Sequence, residues 1–173
     1  MNCVSRDCKK ISVFEAWVNQ YFGFLEVEYG FKRKQLRETN KDYYRDHAVS
    51  IRYQSKDIDV DIGWGIGDAG IGIGIRDRSL YAPVKFIYFD IILECMTNGQ
   101  VMPVMPAITP DISFAEMGRR ADESSRMIND SMESIIKELA LRLKKYGDKI
   151  LKGDTSDFPA FDKFYKEKYG GYK

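Results

Sequence analysis

Asp57, Asp59 and Asp61 stand at alternate positions of a predicted strand, so all three carboxylates are expected on one face. Carboxylates gathered this way hold Mg²⁺ or Mn²⁺ in hydrolases that cut phosphodiesters. Neighbours at i and i+2 of a strand lie roughly 7 Å apart, however, which is far for two of them to share one ion. Flanking arginines offer a second reading, in which Arg52 and Arg76 neutralise Asp59 on a solvated acidic face suited to a basic partner. Gly65-Ile-Gly67-Asp-Ala-Gly70 matches GxGxxG, but a dinucleotide site needs that loop between a strand and a helix, and the strand-like IGIGIRD follows. A kinase glycine loop does join two strands, yet Gly72 stands where that pattern has valine, and HRD and DFG are absent. His47, the only histidine, has no nucleophile near it in sequence. No catalytic residue, metal or cofactor is therefore expected.

Cys3, Cys8 and Cys95 with one histidine give no zinc spacing, and they read as free thiols of a reducing cytoplasm. Lys32, Arg33, Lys34 and Arg37, with Tyr43 and Tyr44 nearby, are the best nucleic-acid candidate. The chain carries 27 cationic against 26 acidic residues, a balance that favours a charged edge strand over a nucleic-acid surface. The N-terminus has no apolar h-region, and the apolar run from Phe86 to Met96 is short and contains Asp90 and Glu94. No membrane segment and a cytoplasmic location are expected. With 173 residues, 44% of them apolar, residues 1–173 read as a single domain with its own core.

The elements that must position these groups follow from periodicity. Ser12 and Glu15 suggest a capping box opening a helix, with Ile11, Phe14, Val18, Phe22, Leu25 and Tyr29 at helical spacing. Gly30 suits its left-handed stop, with Phe31 folding back on Leu25. From 47 to 77, apolar and polar residues alternate through three runs, the pattern of an antiparallel meander with one buried face. With Gly67-Asp68 as a two-residue turn, Trp64 falls opposite Ile71, Ile62 opposite Ile73 and Val60 opposite Ile75. The preceding hairpin is read with Tyr53 opposite Ile58 and Ile51 opposite Val60, which sets Asp59 opposite both Arg52 and Arg76. Residues 86–96 read as a strand and then a helix capped by Asp90. The stretch 101–110, rich in Pro and Met, reads as an ordered loop, its methionines either a contact surface or core filling. Ser113 and Glu116 open a long amphipathic helix that runs to Ile150, with a kink expected at Gly147 and a stop at Gly153. A short helix from Asp157 closes the chain. The fold class is α+β: a meander of three to five strands, with an N-terminal and a long C-terminal helix packed on one face.

Three segments carry a family likeness. FGFLEVEYGFK (22–32), VSIRYQSKDIDVDI (49–62) and LRLKKYGDKILKGDTSDF (141–158) resemble a set of small, mostly uncharacterised bacterial α+β proteins. Those share an FL-x-x-x-YGF helix end, a short meander and a late YGDxILKGD segment, and several look like immunity proteins of polymorphic toxin systems. The resemblance implies a non-enzymatic module that neutralises a partner toxin by occlusion. The surface expected to do so is the meander's outer face: Arg52, Asp57, Asp59, Asp61 and Arg76 beside the bare backbone of Gly63, Gly65, Gly70, Gly72 and Gly74. The alternatives are a metal-dependent hydrolase using the strand carboxylates and a structural homodimer seated on the glycines.

Overall fold

Val49, Ile51 and Tyr53, then Ile58, Val60, Ile62 and Trp64, then Ile71, Ile73 and Ile75 are all buried, so the period-two pattern turns one sheet face inward. The structure is a computed structural model that describes residues 6–36, 48–65, 70–78, 87–105 and 113–169. Helices α1 (Arg6–Phe22) and α2 (Phe24–Val27) lead into β1 (Lys32–Leu36), β2 (Ala48–Gln54), β3 (Ile58–Gly65), β4 (Ile71–Asp77) and β5 (Ile87–Tyr88). Helices α3 (Phe89–Thr97), α4 (Phe114–Tyr146), α5 (Asp148–Leu151) and α6 (Phe158–Tyr169) follow. The sheet is antiparallel throughout, in the order β1-β2-β3-β4-β5.

Phe14, Val18 and Phe22 of α1, Phe89 and Ile92 of α3, and Ile135, Leu139 and Leu143 of α4 join the inward sheet residues in one apolar cluster. Phe14 meets Trp64 of β3 with ring centroids 5.7 Å apart, which fixes α1 on the inner face. Tyr21 donates to Glu133 at 2.6 Å, and Lys10 to Asn129 at 2.8 Å, tying α1 along α4. Full burial of each such aliphatic side chain contributes about 1.5–3 kcal/mol. The α+β architecture expected from the sequence is the one observed.

The β3–β4 register matches expectation pair for pair, with Trp64 opposite Ile71 and Ile62 opposite Ile73. The β2–β3 register is shifted by two residues: Ile51 faces Ile62 and Tyr53 faces Val60. The turn explains the shift. The Ser55 N–H donates to the Ile58 carbonyl (2.8 Å), and the Ser55 hydroxyl accepts from the Ile58 N–H (3.0 Å). Lys56-Asp57 thereby become the central pair in place of Ser55-Lys56, and a serine side chain does what a primed turn would otherwise do. A shift of two preserves the faces but changes every cross-strand partner.

The helix ends need three corrections. α1 runs from Arg6, so Ser12 lies inside the helix and not at its start; the stretch from Arg6 to Ile11 contains no helix breaker. The residue capping α3 is Tyr88, with Asp90 in the first turn. At α4, Ser113 does accept from the Glu116 N–H (3.2 Å), but the Glu116 carboxylate turns to Arg119 and Arg120, leaving half a capping box. α4 also kinks at Ser131, whose φ of −145° lies outside the helix. Gly147 stands at the joint with α5, where a Cβ would lie 2.6 Å from the Leu143 carbonyl oxygen.

Candidate functional site

The register sorts the outer sheet face into rows, since directly opposed residues share a face. In one row Gly63 faces Gly72. In the next, Lys34, Arg52, Asp61, Gly74 and Tyr88 run across all five strands. In the third, Lys32, Gln54, Asp59 and Arg76 cross four. Strands lie about 4.8 Å apart, and rows about 7 Å.

Arg52 pairs with Asp61, Nη2 to Oδ2 at 2.9 Å, and not with Asp59 as the shorter register required. Asp59 is 0% exposed: Arg76 bonds one carboxylate oxygen, and Arg78 Nε stands 3.6 Å from the other. Arg78 also donates to the Ser55 carbonyl at 2.8 Å, which pins the hairpin turn to the end of β4. Asp57 does not join its two neighbours. It sits in the turn, where strand alternation has ended, so the expected row of three carboxylates is a pair.

The glycines differ among themselves. A Cβ at Gly63 or Gly72 would meet nothing within 4 Å, so this cross-strand pair is bare and open. Gly70 is the opposite case, because Met105 packs over it and a Cβ there would lie 3.0 Å from the Met105 Cε. The close approach that glycine allows is made at this position by the chain itself. Gly65 is half-buried and Gly74 buried. Of the methionines near the proline-rich stretch, Met105 belongs to the core, whereas Met96 and Met102 are exposed. Lys32, Lys34 and Tyr88 also share the outer face. Sequence reading missed that because it stopped at the central hairpins, although KRK alternation already marked Lys32 and Lys34 as one side of an edge strand.

A second feature joins the likeness motifs. The YGF and KGD stops both use left-handed glycines, Gly30 (φ +70°) and Gly153 (φ +92°), and the Phe31 N–H donates to the Leu25 carbonyl at 3.0 Å. Both stops and the 55–57 turn line one open cleft of about 390 Å³. Of its lining residues, Tyr29 donates to Asp148 Oδ1 (2.8 Å), and Lys152 donates to Asp148 Oδ2 (2.7 Å). Glu28 accepts from Lys144, whose Nζ lies 5.4 Å from the Phe24 ring centroid. Tyr29, Lys152 and Glu28 of the lining are thus engaged by neighbouring side chains, and the cleft is a junction between three chain reversals. Burial and the bond to Asp148 push the Tyr29 hydroxyl up to about 12. The Lys152 ammonium, and then the Tyr29 hydroxyl, hold the Asp148 carboxyl below its ordinary 3.8. A carboxyl whose folded pKa is depressed adds stability above its unfolded value and loses it as pH falls through the folded one. Asp148→Asn is therefore expected to flatten the acid limb: between pH 6 and pH 3, urea midpoints should fall more for the parent chain than for the variant.

His47, Tyr43, Tyr44, Cys3 and the Gly67-Asp68 turn lie outside the described residues, as does the Cys8 side chain. Cys95 is half-buried, and burial pushes its thiol up, away from nucleophilic chemistry. Among the described residues, no three His, Cys, Asp or Glu side chains converge as metal ligands, and no helix is long and apolar enough to cross a membrane. Fold and site together define an α+β protein whose distinctive surface is a glycine-bared, arginine-flanked sheet face. No protein-family model matches the chain, and no curated protein or solved structure matches it either.

Proposed function

We propose that the protein is a non-enzymatic binding module of the immunity type, which occludes a partner toxin through the outer face of its meander. The observation that carries this reading is the Gly63–Gly72 pair. Glycine in a strand interior costs roughly 0.5–1 kcal/mol against alanine, and central strands favour β-branched residues. No neighbour crowds either position, so packing within the described fold does not demand glycine at either. A partner that approaches the backbone closely does demand it. Arg52–Asp61 and Arg76–Asp59 set fixed charge to one side of the bare pair, which serves register and specificity in an interface.

The test is a quantitative pull-down from source-organism extract, with the parent chain beside Gly72→Lys. A lysine there fills the open space without touching the core. The expected result is one stoichiometric protein captured by the parent chain and lost from the variant, with matching circular dichroism. Equal capture by both removes this surface from the function.

A further inference from the structure

We infer that the segment received by this face is acidic: a run of Asp or Glu side chains on a protein partner, met by Lys32, Lys34, Arg76 and Arg78. The inference rests on the docking reading above and names the chemistry of its partner. The sequence suggests the reverse, an acidic strand for a basic partner, and burial inverts it. Asp59 is 0% exposed, whereas Arg76, which bonds it, is 29% exposed and Arg78, 3.6 Å from its other oxygen, is 42% exposed. Asp61 is only 17% exposed and is held by Arg52, while Asp57 has left the face for the turn. Lys32 and Lys34 stand exposed on the same side of the edge strand. Among the described residues of these rows, what reaches solvent is therefore cationic, and the two carboxylates act as counter-charges beneath it.

That layering has a chemical consequence. Arg78 donates to the Ser55 carbonyl and stands 3.6 Å from the buried Asp59 carboxylate, so its guanidinium meets a ligand already oriented. A pre-set planar fork suits carboxylate and loses little rotamer freedom on binding. Lys32 and Arg76 end the same cross-strand row, three strand spacings or about 14 Å apart. An extended segment bridges that span with about four residues. The Gly63–Gly72 pair lies two rows, about 14 Å, from that row and one row from Lys34, so a segment that meets both the cations and the bare pair runs obliquely across the sheet. Nucleic acid fits less well. Tight phosphate binding neutralises many charges along a track, and stacking needs several aromatic rings, whereas Tyr88 is the one aromatic in these rows.

The experiment titrates the ¹⁵N-labelled full chain with a capped octaglutamate peptide and, separately, with octathymidylate and octalysine, following backbone amides by NMR. The expected result is salt-sensitive movement of the Gly63, Gly72 and Gly74 amides with octaglutamate, weakened at least tenfold in Lys32→Glu/Lys34→Glu. Both substitutions lie on an exposed edge strand, and the variant's own spectrum reports its fold. Octaglutamate that leaves these amides still, equal affinity in the double variant, or tighter binding of octathymidylate or octalysine at the same amides overturns the inference. Loss of capture by Gly72→Lys alongside a silent octaglutamate titration keeps the docking face and discards its acidic occupant. Capture unaffected by Gly72→Lys discards the face itself.

Discussion

Arg76→Met is expected to destabilise the fold by about 3 kcal/mol, and to cost more than Asp59→Asn, which removes the other half of the same pair. The asymmetry follows from exposure. Asp59 is wholly buried, and its second oxygen is 3.6 Å from Arg78 Nε, so without Arg76 the carboxylate keeps only that longer contact. Methionine preserves the apolar stem of arginine and keeps water from replacing the lost charge. In the opposite variant the asparagine amide oxygen can still accept from Arg76, whose guanidinium is 29% exposed, so the cost is nearer ~1 kcal/mol. Arg52→Met should fall below Arg76→Met, because Asp61 retains some contact with water. Urea denaturation of the three variants at neutral pH gives the ordering. Equal losses for Arg76→Met and Asp59→Asn would mean that Asp59 is not held as a buried charge.

Asp59 also shows where sequence reading stops. Its strand, its face and its opposition to Arg76 were legible from Ile/Gly alternation and a two-residue turn. Its other partner was misread, because the Ser55 side chain closes the β2–β3 hairpin two residues out of the expected register and hands Arg52 to Asp61. Alternation assigns faces, but it is blind to a shift of two, which leaves every face unchanged. The burial of Asp59 was not legible either, since one of its arginines, Arg78, lies beyond the strand end. The helix stops were read correctly because glycine there answers a local backbone need, a positive φ at Gly30 and Gly153. That the two stops meet in one cleft depends on the packing of α2 and α5, which local signals do not encode. At Gly70 the pattern was right about close approach, and the neighbour is the chain's own Met105.

Gly63→Val/Gly72→Val is expected to move stability and binding in opposite directions. Both positions lie within strands of the meander, and both have open space where the new side chain would grow. Valine limits the unfolded chain and suits the pleated backbone, so the folded state should gain about 0.5–1 kcal/mol at each site. The two isopropyl groups would stand opposed on the outer face and raise its floor by a side-chain layer. A partner segment seated against bare backbone would then clash, and affinity should fall on the order of a hundredfold. The readouts are the urea midpoint and the capture assay on one preparation. Lower stability in the double variant would show that the space above the pair is filled. Higher stability with undiminished capture would leave the glycines without the role assigned to them. A gain in stability with a loss of capture has one economical explanation: these positions keep glycine at the fold's expense, because another chain must reach the strand.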